Sequence, residues 1–235
     1  MDGAVIGDLL APARRSDALA YRVVGDPARS HTYDSFCATT WKTANLLRLY
    51  GVHEGSTVGV IDAPKDPDSE PTAPTGRAGE TPISEVLFAF LGAASLGATV
   101  RFDPPGAFES DALVGPAGWI AAYDPGPTGT TIAYGGPPAD PEVVHFETEV
   151  WSETPIAPPE TVDPETPVLA AGDRRYDHQT LLDAAGAFVD RHRLGPDDSV
   201  AVAGPLSEPG NVVGAILAPL LAGGMETDDG RILPP

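Results

Sequence analysis

The sequence predicts an α/β fold of two pseudo-repeated subdomains, each with a mostly parallel sheet flanked by helices. Three observations lead there. Short, almost wholly apolar runs, as at 57–61 and 200–203, alternate with stretches of helical periodicity at 35–50 and 178–193. Runs of that kind suit central parallel strands, which are covered on both faces. Turn chemistry is the second observation: Gly25-Asp26 and Gly172-Asp173 each stand between apolar runs, as the tight turn of a β-hairpin requires. The third is that the two halves answer each other in sequence.

The first half reads Tyr21-Arg-Val-Val-Gly-Asp, then His31-Thr-Tyr-Asp-Ser-Phe, a long amphipathic stretch to Leu49-Tyr-Gly-Val, and Ser56-Thr-Val-Gly-Val-Ile. The second reads Val168-Leu-Ala-Ala-Gly-Asp, then Arg174-Arg-Tyr-Asp-His-Gln, a helical stretch to His192-Arg-Leu-Gly, and Ser199-Val-Ala-Val-Ala. Tyr33 to Val60 spans 27 positions and Tyr176 to Val202 spans 26, so one plan serves both. In each unit a hairpin comes first. A helix follows, with Asp34 or Asp177 at its start, where a carboxylate caps free N–H groups and favours the dipole. Phe36, Trp41, Ala44 and Leu47 give the first helix a buried face, as Leu181, Ala185, Phe188 and Val189 do the second. Gly51 and Gly195 are expected to stop them. After the strands come two further helices, from Glu85 to a stop at Gly97 and from Asn211 to a stop at Gly223. A Pro/Asp/Gly-rich insertion at 64–81, present only in the first unit, reads as a mobile surface loop. A first subdomain over 1–160 and a second, shorter one over 161–235 follow, joined through a proline-rich connection at 136–166.

One stretch between the units invites a chemical reading. Residues 126–136, Gly-Pro-Thr-Gly-Thr-Thr-Ile-Ala-Tyr-Gly-Gly, resemble a phosphate-gripping loop, in which small residues let N–H groups converge on phosphate oxygens beside a basic residue. No lysine follows, and the next basic residue is Arg174. Thr130 to Tyr134 alternates β-branched and small residues, so strand plus turn is the better reading.

Charge narrows the partners. Thirty-four acidic residues face 14 basic ones, a formal net charge of −20, with only Lys42 and Lys65 as lysines. Nucleic acid and anionic membrane are poor partners for such a surface. The acids are spread through apolar-patterned segments, which indicates an acidic folded surface whose self-repulsion salt relieves. This predicts a cytoplasmic protein of a salt-accumulating organism. Residues 136–235 carry 18 acids against 5 basic residues, so a triphosphate would meet repulsion there. Cys37 is the single cysteine, excluding an internal disulfide. The apolar run 86–98 is too short and interrupted to cross a membrane, and the first residues lack signal-peptide character.

Thr32-Tyr-Asp-Ser-Phe, with Thr43-Ala-Asn-Leu-Leu-Arg-Leu-Tyr-Gly-Val-His-Glu-Gly-Ser-Thr-Val-Gly-Val and Leu87-Phe-Ala-Phe-Leu-Gly-Ala-Ala-Ser-Leu-Gly-Ala-Thr-Val-Arg-Phe-Asp-Pro, resembles passages of the adenylate-forming (AMP-binding) superfamily. That superfamily comprises acyl-CoA synthetases, luciferases and peptide-synthetase adenylation domains. His178-Gln-Thr-Leu-Leu, Leu194-Gly-Pro-Asp-Asp-Ser-Val-Ala-Val and Pro205-Leu-Ser-Glu-Pro-Gly resemble the segment after the family's phosphate loop. The resemblance implies two Rossmann-like subdomains, like the N-terminal region of an acyl-CoA synthetase, and an ATP-dependent acyl-CoA ligase-like reaction if the chain is active. It also exposes what is missing. Where the family has S-G-T-T-G-x-P-K-G shortly before the histidine that His178 matches, this chain has a short turn at Gly172-Asp173. The chain ends at Pro235, before the family's Y-G-x-T-E region and C-terminal lysine, and Glu208 stands at the aromatic or histidine position beside the acyl pocket.

The expectation is therefore a degenerate, non-catalytic domain with a binding, regulatory or scaffold role, holding no cofactor or metal. Its partner would be a second copy or a full-length synthetase relative. The alternative is a ligase-type enzyme or small-ligand binder using a crevice near His178, Ser207 and Glu208. His178 can be a base held by Asp177 or a first-turn helix residue. Glu208 beside Ser207 can line the crevice at the strand ends or favour a helix dipole. Arg174-Arg175 can grip an anion or pair with surface acids. Histidine spacing shows no metal pattern, and Cys37, one turn from Trp41, reads as core.

Overall fold

The structure is a computed structural model that describes residues 4–23, 26–62, 83–196, 198, 200 and 204–223. The insertion at 64–81, most of the expected strand at 200–203 and Gly25 of the first hairpin turn lie outside the described residues. The main sheet has seven strands: β3 (Thr57–Val60), β4 (Thr99–Phe102), β5 (Ala112–Pro116), β6 (Thr130–Tyr134), β7 (Val144–His145), β8 (Pro167–Ala171) and β9 (Arg174–Asp177). Their order is β7-β6-β5-β3-β4-β8-β9. Every pairing is parallel except β8 with β9, so the result is a mixed, mostly parallel sheet with helices packed on it. The first hairpin, β1 (Leu19–Val23) with β2 (Asp26–Thr32), forms a separate two-stranded sheet. Because β8 pairs with β4, the hairpin of the second unit extends the sheet of the first.

Residues 126–136 settle into a turn and then β6, with Ile132, Ala133 and Tyr134 buried between β5 and β7. The β-branched pair at Thr130 and Thr131 begins the strand, as its alternation predicts.

Helix α1 (Tyr33–Leu49) begins differently from the sequence expectation. Its cap is Thr32, whose hydroxyl accepts from Ser35 N–H at 3.2 Å, while Asp34 lies inside the first turn and pairs with Arg15 at 3.3 Å. At the other end Gly51 takes φ 90° and Val52 N–H closes back onto the Leu47 carbonyl at 3.0 Å, a glycine stop. Helix α2 (Ile83–Ser95) is apolar nearly all round, because it is sandwiched between α1 and strands β3, β4 and β5. Gly92 lets the two helices approach closely: a Cβ there would lie 3.1 Å from the backbone nitrogen of Ala44. Their shared core includes Phe36, Leu47, Phe88 and Phe90, each burial contributing roughly 1.5–3 kcal/mol.

Helix α4 (His178–His192) starts as expected, Asp177 Oδ1 accepting from Thr180 N–H at 2.7 Å. Its stop differs. Arg193, not Gly195, takes the left-handed conformation at φ 53°, and Leu194 N–H bonds the Val189 carbonyl at 3.0 Å. The last helical stretch is interrupted: α5 (Pro209–Val212), a π turn (Val213–Leu217), and α6 (Ala218–Ala222) ending at Gly223. Pro219 has no N–H to give a regular i→i−4 bond and crowds the preceding turn, which accounts for the wider winding just before it.

The proline-rich connection is laid along α1 after the short helix α3 (Phe146–Ser152). Asn45 Nδ2 donates to the carbonyls of Thr154 and Ile156, and Lys42 Nζ donates to that of Trp151.

Candidate functional site

In an open parallel sheet, ligands bind beyond the carboxyl ends of the strands where the strand order reverses. Here β4 leaves β3 on one side and β5 returns on the other, so that point lies just after β3. Asp62 follows β3 directly, and its Oδ2 accepts from Leu206 N–H at 3.0 Å. This bond ties the loop carrying Ser207 and Glu208 to the sheet. Burial raises the Asp62 carboxyl above its ordinary value, and the Asp103 charge adds to the rise. Asp103, directly after β4, holds a left-handed φ of 53° unusual for a side-chain-bearing residue. Burial also raises Tyr123, with further pushes from Asp103 and Asp62. The fully buried Tyr134, raised mainly by burial, donates its hydroxyl to the Ile61 carbonyl at 3.0 Å. The strand ends are thus acid-lined, which repels phosphate.

The three residues singled out from sequence are not equivalent. His178 is fully buried, and its Nδ1 accepts from Ile6 N–H at 3.1 Å. The ring proton therefore sits on Nε2, which has no hydrogen-bond partner among the described residues. Burial pulls its pKa down to about 4 against the opposing pull of Asp177 and Asp8, so the ring is neutral at pH 7. Through this bond it anchors the 3-10 turn Ile6–Leu10. Ser207 is half-buried and Glu208 is exposed at the start of α5, where no side-chain cap forms. No hydrogen bond or ion pair joins His178 to Ser207 or Glu208 among the described residues.

Sequence reasoning missed Asp62, Asp103 and the role of the segment from Ile6 to Arg15. The segment from Ile6 to Arg15 touches both units: Ile6 binds His178, Arg14 donates to the Leu220 and Leu221 carbonyls at the end of α6, and Arg15 stacks over Trp41 at 4.3 Å. The only available signal was the adjacent pair Arg14-Arg15. Cys37 is buried in the core and burial raises its thiol, so it is protonated at neutral pH. Among the described residues, no group of three or more His, Cys, Asp or Glu is placed to hold a metal, and no helix is long and apolar enough to cross a membrane.

Seven strands in this order, with helices on them and an antiparallel hairpin at one edge, define an α/β protein with the architecture of the N-terminal region of acyl-CoA synthetases. The chain matches solved structures of adenylate-forming proteins over most of its length. Apo MatB from Rhodopseudomonas palustris superposes with a TM-score of 0.68 at 16% identity, covering 96% of this chain and 44% of that one. The anthranilate CoA ligase AuaEII, solved with anthranoyl-AMP, gives 0.72 at 17% identity over 97% of this chain and 45% of its own. The N-terminal domain of FACL13 from Mycobacterium tuberculosis gives 0.70 at 15% identity, covering 97% and 57%. This chain spans less than half the length of the first two, and at these identities the likeness is one of fold. No family model and no curated protein matches the chain.

Proposed function

We propose that this chain is a non-catalytic relative of the adenylate-forming enzymes, keeping their N-terminal scaffold and serving a binding, regulatory or scaffold role. One observation carries the reading: β8 and β9 are joined by a two-residue turn, with Ala171 paired to Arg174 and Gly172 at φ 58°. A turn that tight leaves no loop to wrap phosphates. The acidic strand ends and the neutral, buried His178 support the same view, since adenylation needs positive charge around the developing anion. Isothermal titration calorimetry in about 2 M KCl, enough to screen the acidic surface, tests it against Mg-ATP, a nonhydrolysable acyl-adenylate analogue and CoA. No heat from any of the three is expected. Submillimolar binding of either adenylate ligand refutes the reading.

A small-ligand binder at the strand ends is the second reading. Asp103 favours it, because strained backbone next to a crevice is most often kept at ligand sites. Under that reading Glu208→Ala abolishes ligand binding; under the first it changes stability only modestly. The acidic surface further suggests a salt-requiring cytoplasmic protein, for which thermal melts in dilute buffer and in molar KCl should differ clearly. Self-association or pairing with a full-length synthetase relative is the expected partnership. Light scattering of the purified chain in high salt addresses the first.

A further inference from the structure

Three of the chain's twelve arginines line one cavity of about 350 Å³ on the sheet face opposite α2. Parallel register sets Gly59 beside Arg101 and Arg101 beside Ala170, and antiparallel register sets Ala170 beside Arg175. Residues directly opposite in a sheet share a face, so Arg101 and Arg175 project together, separated by the small side chain of Ala170 and roughly 10 Å of sheet. Thr57 and Thr99 lie side by side one step back on the same face. Phe108 packs on Gly59, and the Arg101 guanidinium stands over its ring at 5.6 Å. Arg174, next to Arg175 at the hairpin tip and paired with Ala171, also lines the cavity.

An acidic chain offers arginines many carboxylates, yet these three take none among the described residues. Among the described residues, Arg101, Arg174 and Arg175 make no ion pair or hydrogen bond, and neither does the Thr57 hydroxyl. Glu109 and Asp173 also line the cavity, so its local balance is three guanidiniums against two carboxylates in a chain of net charge −20. Unspent planar forks around a sheet-floored cavity are suited to bidentate capture of an oxyanion.

We propose that this cavity binds a small oxyanion, inorganic phosphate or a short polycarboxylate, between Arg101 and Arg175, with Arg174 at its edge. Recognition is by side-chain forks standing on the sheet, with the Thr57 hydroxyl as a neutral donor. A ligand of this size fits; pockets of some 300 Å³ and above hold small molecules. The inference goes beyond the non-catalytic reading and does not depend on it.

Calorimetry at fixed ionic strength with inorganic phosphate, succinate and citrate, chloride being the balancing anion, tests the proposal. Binding of phosphate or of a carboxylate is expected, and the tighter of the two names the source of the oxyanion. Arg101→Gln and Arg175→Gln should each weaken it at least tenfold, with melting temperature and circular dichroism unchanged. Arg175→Lys should bind more weakly than the parent, because it loses the fork. Arg191→Gln, on α4 away from the cavity, should leave binding unchanged. If none of the three anions binds, or if binding survives both glutamine variants, the proposal is overturned. ATP or adenylate binding that persists in both variants would instead refute the non-catalytic reading, so the two failures are distinct.

Discussion

The two hairpin–helix units share an order of elements and differ in how completely they are covered. In the first, α1 buries Phe36, Cys37, Thr40, Trp41, Thr43, Ala44, Leu46 and Leu47, because α2, the first hairpin and the proline-rich connection all lie against it. In the second, α4 buries only His178, Leu181, Ala185 and Phe188. Its outer side, through Leu182, Gly186 and Val189, borders an open groove of about 550 Å³ that Leu9 and Leu221 also line. The same local plan therefore gives a two-sided core helix in one place and a one-sided surface helix in the other. What surrounds a helix sets its stability more than its own periodicity does.

That contrast can be broken by substitution. Phe36→Ala should cost about 3–5 kcal/mol in urea unfolding, since Phe36 packs against Tyr21 and Phe88 with no room to collapse. Val189→Ala, beside the groove, should cost less than about 1 kcal/mol. Equal losses would mean that α4 is covered as fully as α1.

Acid should act through the second unit next. His178 is held neutral when folded, with a pKa near 4 against the ordinary 6.5. The unfolded chain therefore binds a proton that the folded one refuses. Its contribution is fully present above pH 6.5 and is lost as pH falls from 6.5 to 4, an effect of up to roughly 3 kcal/mol. Melting temperatures across that window should decline in the parent and flatten in His178→Gln.

The caps sharpen the comparison at smaller scale. Thr32→Ala and Asp177→Ala should each cost about 1 kcal/mol. Only the second loss should depend on pH. Hydrogen bonds from Thr180 hold the Asp177 carboxyl below its ordinary value, so its stabilisation is present above the usual carboxylate range and disappears as pH falls through the depressed value. A Thr32→Ala loss that varies with acid would contradict the hydroxyl cap.

The helix ends give the smallest effect. Gly51 occupies its left-handed position without strain, whereas Arg193 must bear a Cβ there. Arg193→Gly should therefore stabilise by at most about 1 kcal/mol, and Gly51→Ala should destabilise by a similar amount. A destabilised Arg193→Gly would show that the arginine side chain contributes more than its backbone costs.

The candidate site was legible only in part. The helix start after Glu208 is legible, because Pro209 marks the first turn of a helix plainly. His178 was found but its surroundings were not, since nothing in its neighbourhood announces that Ile6, 172 residues away, will bond its ring. Asp62 was unremarkable in sequence. Its importance comes from the Leu206 N–H that the fold brings to it.

By itself the sequence determined what local physics encodes: the hairpin turn at Gly172-Asp173, the strand at Thr130–Tyr134, the amphipathic helices, and the Asp177 cap. Each follows from φ preferences and side-chain period within a few residues. The tertiary structure alone decided that β8 pairs with β4, that the segment from Ile6 to Arg15 fastens both units, and that Arg101 and Arg175 share a face across Ala170. Strand order and register depend on contacts between residues far apart in the chain, and a local pattern of apolar and polar residues is the same whichever neighbour a strand takes.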